Sequence, residues 1–514
     1  MAGGKKEQGS LPRSAAGPNN PWLIAVVVSI ATFMEVLDST IANVALRNIA
    51  GSLSADQDQS TYILTSYLVA NAIIMPISGW FSNVIGRKRF YMICVALFTI
   101  SSALCAFATS ISMMVMFRIL QGFGGGGLAP VEQSIFADTF TPKKRALAFS
   151  IYGLTVVTAP AIGPVLGGVI TDNFSWHWVF LINLPMGLLS LTLTYLFVYD
   201  SEQTKKERRE LLAKGLKVDY VGFALIALGF GALQMALDRF QPDDGFASPF
   251  VFLMTALCVT AIVSLLVWEW FHPQPLINLR LLKSRAFAIS NVVFFMFGFI
   301  FNSTTQLMPQ MTQTLMGYDA TKAGLTLGLG GIISVIMMPL AGIVTGKVVE
   351  PRWLVLAAVI GIAYSMYYAA GLNVTMDFFE VSWSRALLMV WLPFIFIPLS
   401  AVQFIGVPED KNNDASAILN FMRNLGGSVG IAIAGTELAW RTQFHHARLA
   451  EHVGAFSGFG AGRSLTAIGA AVQVQAITLS YLDVYIILAL ISACVIPLTL
   501  FLPNMPKGEA AGAQ

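Results

Sequence analysis

Residues 22–46 constrain the fold of this chain more than any other stretch. They form an almost continuous apolar run that is long enough to cross a bilayer, which takes about 20 helical residues. Two acidic residues, Glu35 and Asp38, nevertheless lie near the centre of the run. A charge that faces lipid at this depth is costly, so such residues usually face a bundle interior or a wet cavity and often mark an ion pathway. Their three-residue separation places both carboxylates on one helix face.

Similar apolar runs follow along the whole chain. Of its 514 residues, 56% are hydrophobic and 11% are charged, whereas a soluble domain has about 25% charged residues. Runs of this length without alternating apolar and polar residues favour helices over a β-barrel. We therefore predict an all-α polytopic membrane protein with fourteen transmembrane helices. The predicted spans cover approximately residues 22–46, 60–82, 90–109, 111–135, 146–170, 178–199, 218–238, 249–271, 287–310, 322–346, 354–372, 384–406, 414–440 and 481–502.

Lysine and arginine residues concentrate on one side of the predicted membrane. Most of them lie in the terminal tails and in the loops after even-numbered spans, as do Arg87, Lys88 and Arg89 after span 2. Because cytoplasmic loops are enriched in these residues, both termini are predicted to be cytoplasmic. The first run lacks a small-residue cleavage site and is too long for a signal-peptide core, so we expect it to be retained.

An internal repeat indicates two related halves. Residues 73–79, Ile-Ile-Met-Pro-Ile-Ser-Gly, match residues 336–342, Ile-Met-Met-Pro-Leu-Ala-Gly, at a separation of 263 residues. The repeat pairs span 2 with span 10, and parallel repeats of this kind build some transporters. Two six-helix halves leave two helices over, so we predict that spans 7 and 8 are inserted between the halves and lie at the periphery. A chance match in apolar sequence is the alternative.

The repeat and the charge pattern together predict the boundaries of the regions. They are a cytoplasmic tail (1–21), an N-terminal six-helix half (22–199), a cytoplasmic linker (200–217), two inserted helices (218–271), a C-terminal six-helix half with an outer loop at 441–480 (272–502), and a second cytoplasmic tail (503–514).

Span 4 carries a buried cation, Arg118, beside a glycine run. At a rise of 1.5 Å per residue, Asp38 lies roughly 6 Å and Arg118 roughly 7 Å from the midplane on the same side. Asp38 and Arg118 can therefore share a level, while Glu35 lies nearer the centre without an obvious cation. A carboxylate beside an arginine keeps its charge, whereas a desolvated carboxyl group without a partner binds a proton more readily. We predict that these three residues couple transport to protons; a fixed ion pair that only joins two helices is the alternative.

Other residues are candidates for the cavity or for conformational change. Prolines and glycines in span 5 predict a kink and close helix contacts, and the glycines of the loop after span 2 permit a tight turn. The conformational candidates are Gly79, Gly86, Arg87, Arg89, Gly163, Pro164, Gly167 and Gly168. The cavity candidates are Asn43, Gln121, Glu132, Asn302, Gln306 and Arg423. Span 9 is expected to add an apolar aromatic lining, formed by Phe294, Phe295, Phe297, Phe299 and Phe301.

Several function classes find no support in the sequence. It has no glycine loop ending in Lys-Ser/Thr that would cradle a nucleotide phosphate. It also lacks a catalytic triad and metal-ligand spacing, and its four cysteines all lie in apolar runs. We therefore expect a protein that is not an enzyme, with no cofactor, no metal and no nucleic-acid partner, and with protons as the coupling ion.

Five segments together resemble the major facilitator superfamily, and within it the fourteen-span drug:proton antiporters of the EmrB/QacA type. They are residues 37–46, the loop 79–89, the span 4 segment from Arg118 to Gly122, residues 163–168 and residues 176–187. The long outer loop before the last span is closer to the EmrB branch. The sequence departs from the pattern at Asn83, where the loop usually has an acid, and at Ala159, where the span 5 motif usually starts with glycine.

The resemblance implies export of hydrophobic drug-like compounds in exchange for protons, by alternating access at a site between the halves. It implies a multi-pass protein of the inner membrane, embedded in lipid, with an EmrA-like periplasmic adaptor and an outer-membrane channel as partners. We predict that the loop 441–480 docks the adaptor; a disordered linker is the alternative. The competing function is proton-driven transport of a specific metabolite or nutrient, which would be expected to need more polar groups in the cavity.

Overall fold

The computed structural model describes residues 20–502 apart from 56, 201, 214–218, 241–242, 274, 346–347, 374, 406, 409–410 and 453–464. Most of the predicted tails, 1–21 and 503–514, therefore lies outside the described residues. The α-helices in chain order are α1 (Pro21–Ser52), α2 (Gln57–Ile85), α3 (Arg87–Ala106), α4 (Ile111–Gly125), α5 (Leu128–Thr139), α6 (Pro142–Asn173), α7 (His177–Leu181), α8 (Asn183–Phe197), α9 (Glu202–Ala213), α10 (Tyr220–Phe240), α11 (Pro249–Phe271), α12 (Arg285–Met316), α13 (Ala320–Val344), α14 (Pro351–Ala369), α15 (Phe378–Trp391), α16 (Pro393–Val402), α17 (Asn412–His452), α18 (Leu465–Cys494) and α19 (Ile496–Thr499).

The protein is an all-helical, multi-pass membrane protein, as predicted. Among the described residues, twelve segments are long and apolar enough to cross a membrane, and α6 makes a thirteenth if its two bent parts form one span. The bend of 42° separates Lys144–Pro160 from Ile162–Thr171, where a proline removes a backbone hydrogen bond. Predicted span 4 is divided into α4 and α5 by Gly126 and Gly127. The count of fourteen spans therefore stays a prediction.

The long helices pack as two related six-helix halves. In the N-terminal half α1 packs along α6 and α2 along α4; in the C-terminal half α12 packs along α17 and α13 along α15. The halves meet where α2 packs on α17 and where α6 packs on α13. Each contact between the halves therefore has a counterpart related by the internal repeat.

The repeated glycines Gly79 and Gly342 occupy equivalent places in the two contacts. A Cβ atom at Gly79 would lie 3.1 Å from the backbone of Asn413 on α17, and one at Gly342 would lie 3.1 Å from the backbone of Leu147 on α6. These spacings leave no room for a side chain. The sequence repeat is therefore also a repeat of structure, and in both copies a glycine lets the two halves approach each other.

The two inserted helices differ in position. Helix α11 packs mainly on α10 and is the most exposed of the membrane helices, so it lies at the periphery as predicted. Helix α10 also packs on α2 and α17. Its residues Phe230, Leu233 and Gln234 line the cavity described below. The prediction of a peripheral position is therefore wrong for α10.

The predicted outer loop 441–480 is largely helical. Helix α17 continues to His452 and α18 begins at Leu465, and the intervening residues 453–464 lie outside the described part. The two extensions are joined near their bases, where Asp483 of α18 lies 3.3 Å from Arg441 and 2.8 Å from His445 of α17. The helical stretch expected to continue span 13 past residue 440 is present, and α18 adds a second one before residue 481. We call these two extensions, residues 441–452 and 465–480, the helical hairpin.

One end of the bundle is rich in arginine and lysine, and we call it the basic end. It is where α2, α5 and α13 end and where α3, α6 and α17 begin. The ion pair between Arg87 of α3 and Asp138 of α5 lies there. Trp22 packs on Phe140 with ring centroids 4.9 Å apart, so α1 begins at this end too.

Candidate functional site

Asp38 and Arg118 form a completely buried ion pair between α1 and α4, with 2.7 Å between Oδ2 and Nη1. The other carboxylate oxygen of Asp38 accepts hydrogen bonds from Gln121 (3.0 Å) and from Asn183 of α8 (2.6 Å). The attraction within a buried ion pair offsets the cost of desolvation best when the remaining hydrogen-bonding groups are satisfied. Both oxygens of Asp38 are, while Nη2 of Arg118 has no hydrogen-bond partner among the described residues. The predicted cavity candidate Gln121 thus belongs to this network.

The network continues around the guanidinium group of Arg118. Its Nε donates to the Ile63 carbonyl oxygen (3.2 Å) and Nη1 also donates to Gln121 (2.7 Å). Its Cζ atom lies 4.4 Å from the centroid of the Tyr67 ring, within range of a cation–π interaction. The sequence analysis had not marked Asn183 or Tyr67 as site residues, although Asn183 lies in the segment 176–187 that resembles the family.

Glu35 has a different environment from Asp38. Its Oε1 accepts hydrogen bonds from the Tyr67 hydroxyl (2.8 Å) and from Asn71 (3.3 Å), both on α2. No lysine, arginine or histidine in the described part of the chain makes an ion pair with it. A Cβ atom at Gly125 would lie 2.7 Å from the Tyr67 hydroxyl, so the glycine run of α4 makes the room for this group.

Glu35 lines a cavity between the two halves, with a volume of about 220 Å³. This is smaller than the roughly 300–1,000 Å³ typical of sites for drug-sized ligands, so binding such a ligand requires the halves to separate. Four phenylalanines and four amide side chains contribute to the wall. They are Phe230, Phe297, Phe301 and Phe421, with Asn71, Gln234, Asn302 and Asn424. Of the phenylalanines predicted on span 9, Phe297 and Phe301 face the cavity.

The C-terminal half contributes a cation to the same cavity. Arg423 of α17 lines it, and its Nη1 donates to the Tyr152 hydroxyl of α6 at 2.7 Å. The Tyr152 hydroxyl in turn donates to Asn420 (3.1 Å). The cavity therefore has one carboxylate, Glu35, on the N-terminal half and one guanidinium, Arg423, on the C-terminal half.

Three predicted cavity candidates lie elsewhere. Asn43 and Gln306 are exposed and do not belong to the cavity wall. Glu132 is completely buried in α5, where its Oε1 accepts a hydrogen bond from Ser29 of α1 (2.5 Å). Of the six candidates, the structure thus brings Asn302 and Arg423 to the cavity.

The glycines of the span 5 motif lie at two helix contacts. A Cβ atom at Gly167 would meet Ile41 of α1 at 3.3 Å, and one at Gly163 would overlap the side chain of Thr40. A Cβ atom at Gly168 would lie 3.0 Å from Thr321 of α13. Pro164 packs against Gly324 of α13. The motif thus serves the packing within the N-terminal half and the contact with the other half.

Helix α17 carries a counterpart of this motif that the sequence analysis missed. Gly426 and Gly430 follow Gly163 and Gly167 at the same separation of 263 residues. A Cβ atom at Gly426 would overlap the backbone of Phe295 on α12, and one at Gly430 would lie 2.6 Å from the Phe299 carbonyl oxygen. The offset of the first repeat would have found these positions.

The loop after α2 is built around a single left-handed residue. Gly86 has φ +99° at the start of α3, a conformation that favours glycine. The backbone N–H of Lys88 donates to Asp200 (2.9 Å), and Arg89 is exposed. Arg87 forms the ion pair already described.

Asn83 links the two halves at the basic end. Its Nδ2 donates to Asp414 of α17 (3.1 Å), and its Oδ1 accepts a hydrogen bond from Asn413. The acid that the family pattern places on α2 is absent here, but α17 supplies one opposite the amide. Asn83 therefore joins α2 to α17 through two side-chain hydrogen bonds.

The comparisons with known proteins agree with this architecture. The chain matches the Major Facilitator Superfamily over residues 28–431. The multidrug export protein EmrB of Escherichia coli strain K12 is 37% identical over 436 residues, which cover 85% of this chain and 83% of the relative. The fatty acid resistance protein FarB of Neisseria gonorrhoeae is 35% identical over 434 residues, 84% of each chain. The structure of the human organic anion transporter MFSD10 is similar in fold, with a TM-score of 0.59 at 13% identity over 92% of this chain and 100% of that one.

The chain therefore belongs to the Major Facilitator Superfamily of membrane transporters. Within that superfamily it is a transporter of the EmrB type.

Proposed function

We propose that the protein exports hydrophobic drug-like compounds in exchange for protons, by alternating access to the cavity between its halves. The observation that carries this proposal is the position of Glu35, a carboxyl group on the cavity wall that has hydrogen-bond donors but no ion-pair partner among the described residues. Such a group can exchange a proton and can also respond to a bound compound. Relatives that are named for multidrug export and for fatty acid resistance support the substrate class.

Tyr67 is the group that connects Glu35 with the buried ion pair. Its hydroxyl donates to Glu35, while its ring lies beneath the guanidinium of Arg118. We propose that a change in the protonation of Glu35 moves Tyr67 and thereby loosens or tightens the contact of α1 with α4. In this role Asp38 and Arg118 hold the coupling group in place, and the proton is exchanged at Glu35.

Alternating access would use the two symmetric contacts between the halves. The α2–α17 contact is polar at the basic end, through Asn83 and Asp414, whereas Gly342 of α13 meets Ala146 and Leu147 of α6. A ligand shifts such an equilibrium only through its different affinities for the two states. If a proton and a drug compete at Glu35, each would favour a different one of the two access states of the cavity. Exchange of drug for proton requires this opposition.

The location and the partners are part of the same proposal. The basic end is proposed to face the cytoplasm, with both termini there, because basic residues favour that side. In a host with two membranes the protein would lie in the inner membrane, with an EmrA-like adaptor and an outer-membrane channel. The helical hairpin at the ends of α17 and α18 is the surface we propose for the adaptor.

The test uses purified protein in liposomes with a pH gradient. Wild-type protein is expected to accumulate a hydrophobic dye, ethidium or Hoechst 33342, and to release protons when the dye is added. Glu35→Gln is expected to lower gradient-driven accumulation at least tenfold. Glu437→Gln, on the part of α17 outside the cavity, is the matched control and should match wild type. Wild-type protein that moves none of the dyes, or moves them without protons, would refute the proposal.

A second candidate function is proton-driven transport of a specific metabolite. The four amide side chains of the cavity wall favour it, because amides recognise polar groups on a ligand. The same liposomes separate the two functions. A drug exporter is competed by many unrelated hydrophobic compounds, whereas a metabolite transporter is competed by one narrow group of polar compounds.

A further inference from the structure

Glu132 is a completely buried carboxyl group that the site described above does not use. Its Oε1 accepts the hydrogen bond from Ser29, while its Oε2 has no hydrogen-bond partner among the described residues. A buried carboxylate with a bare oxygen is costly. A proton on that oxygen, or a proton donor that reaches it, removes the cost.

Glu132 lies between the cavity and the basic end. Ser29, its partner on α1, is six residues before Glu35, which is about 9 Å along the helix axis. Helix α1 begins at the basic end, so Ser29 lies on that side of Glu35. Thr32 lies on α1 midway between Ser29 and Glu35. Its buried hydroxyl oxygen also makes no hydrogen bond with the described residues.

The series of carboxyl groups continues beyond Glu132. Asp138 is six residues further along α5, again about 9 Å, and it forms the ion pair with Arg87 at the basic end. Carboxyl groups thus occur on the cavity wall, in the interior and at the basic end at similar intervals. Besides Glu35, the ionisable groups near Glu132 among the described residues include Tyr91 of α3, Tyr152 of α6 and Arg423 of α17.

We propose that Glu132 is a second proton-carrying residue, which accepts the proton from Glu35 and passes it toward the basic end. The proposal rests on the proton exchange proposed at Glu35. The O–H bond of protonated Glu35 breaks, the hydroxyl groups of Thr32 and Ser29 relay the proton, and an O–H bond forms at Glu132. Glu35 is left as a carboxylate. The proton then leaves Glu132 for water at the basic end, so that the cycle neither gains nor loses a proton.

The experiment separates proton transfer from drug binding. Wild-type and Glu132→Gln proteins are placed in liposomes with the dye that the wild-type protein transports. Four quantities are measured: the dissociation constant of the dye, dye exchange without a pH gradient, dye accumulation driven by a pH gradient, and the release of protons when the dye is added. Glu132→Gln keeps an oxygen that can accept the Ser29 hydrogen bond, and it is expected to leave binding and exchange within twofold of wild type. Gradient-driven accumulation and proton release should fall at least tenfold.

Two further variants distinguish a proton carrier from a structural residue. Thr32→Val keeps the shape of the side chain but removes the hydroxyl, and it should slow proton release without weakening dye binding. Glu132→Asp keeps a carboxyl group and should recover part of the loss. Glu437→Gln should behave as wild type. Proton release by Glu132→Gln at the wild-type rate would overturn the inference, and so would a parallel loss of binding, exchange and thermal stability. Wild-type protein without any proton release would instead refute the proposed function.

Discussion

Each half of the molecule has a buried arginine on the corresponding helix, and the two arginines have different partners. Arg118 lies seven residues after the start of α4, and Arg385 lies seven residues after the start of α15, its counterpart in the other half. Arg118 binds the carboxylate of Asp38. Arg385 is 4% exposed and donates hydrogen bonds to two hydroxyl groups on α12, those of Thr304 (2.7 Å) and Thr305 (2.6 Å). It forms no ion pair with the described residues.

This difference suggests a division of roles between the halves. In the N-terminal half Arg118 is paired with the carboxylate of Asp38, and Glu35 lies beside this pair through Tyr67, so a proton can change the local balance. In the C-terminal half Arg385 and Arg423 place fixed positive charge beside the cavity, since arginine keeps its charge in proteins. Thr305 and the Phe301 ring, which both contact Arg385, form part of the cavity wall. The C-terminal half would therefore supply a constant positive electrostatic potential at the cavity, and protonation in the N-terminal half would change the total charge there.

The largest effect is expected from removing the acid of the N-terminal pair. Asp38→Asn leaves Arg118 buried without a counter-charge, which costs about 3–5 kcal/mol, and we expect active efflux to be abolished while the protein still inserts. Drug resistance of cells at matched membrane levels is the measurement. Wild-type resistance in Asp38→Asn would contradict this expectation.

The double variant Asp38→Asn with Arg118→Gln sharpens the comparison. It removes both charges, so the N-terminal site becomes neutral and much of the lost stability should return. Transport should stay lost if the pair takes part in coupling. Recovery of both stability and transport would mean that the pair only joins α1 to α4.

Part of this site followed from the sequence, because depth in the membrane is set by a regular helical rise. Asp38 and Arg118 were expected at one level, and the structure brings them into contact. Glu35 was expected nearer the centre without a cation, and it lies on the cavity wall. Arg385 was missed because span 12 was predicted to begin at residue 384, which placed this arginine at the outer edge of the membrane, whereas α15 begins at Phe378 and buries it.

Other features could not be predicted because hydropathy does not distinguish the surfaces of a bundle. Asn43 and Gln306 are polar residues within or beside spans, as Asn302 is, yet only Asn302 faces the cavity. The position of α10 against the cavity depends on helix packing, which the order of spans does not specify. The extension of α17 beyond residue 440 was expected to be helical, whereas the start of α18 at Leu465 was not foreseen, because the end of apolar sequence does not mark the end of a helix.

A smaller effect is expected from the C-terminal arginine site. Thr305→Val removes one hydrogen bond to the buried guanidinium of Arg385, and hydrogen bonds to charged groups contribute about 1.5–3 kcal/mol. We expect a lower thermal stability in detergent. Thr305→Ser keeps the hydroxyl and is the control. Equal stability of the two variants would mean that Arg385 has another partner, and that the contrast between the halves is weaker than the contacts indicate.

The smallest effect should come from a matched pair of glycines, Gly167 of α6 and Gly430 of α17, which occupy the same position of the repeat. At Gly167 a Cβ atom would be 3.3 Å from the side chain of Ile41, which can shift, whereas at Gly430 it would be 2.6 Å from the backbone oxygen of Phe299, which is held in α12. Overpacking typically costs about 1–3 kcal/mol, and alanine gains up to about 1 kcal/mol over glycine in a helix. We therefore expect Gly430→Ala to lower the melting temperature and Gly167→Ala to leave it nearly unchanged. Equal losses in the two variants would show that α1 and α6 are packed as tightly as α12 and α17.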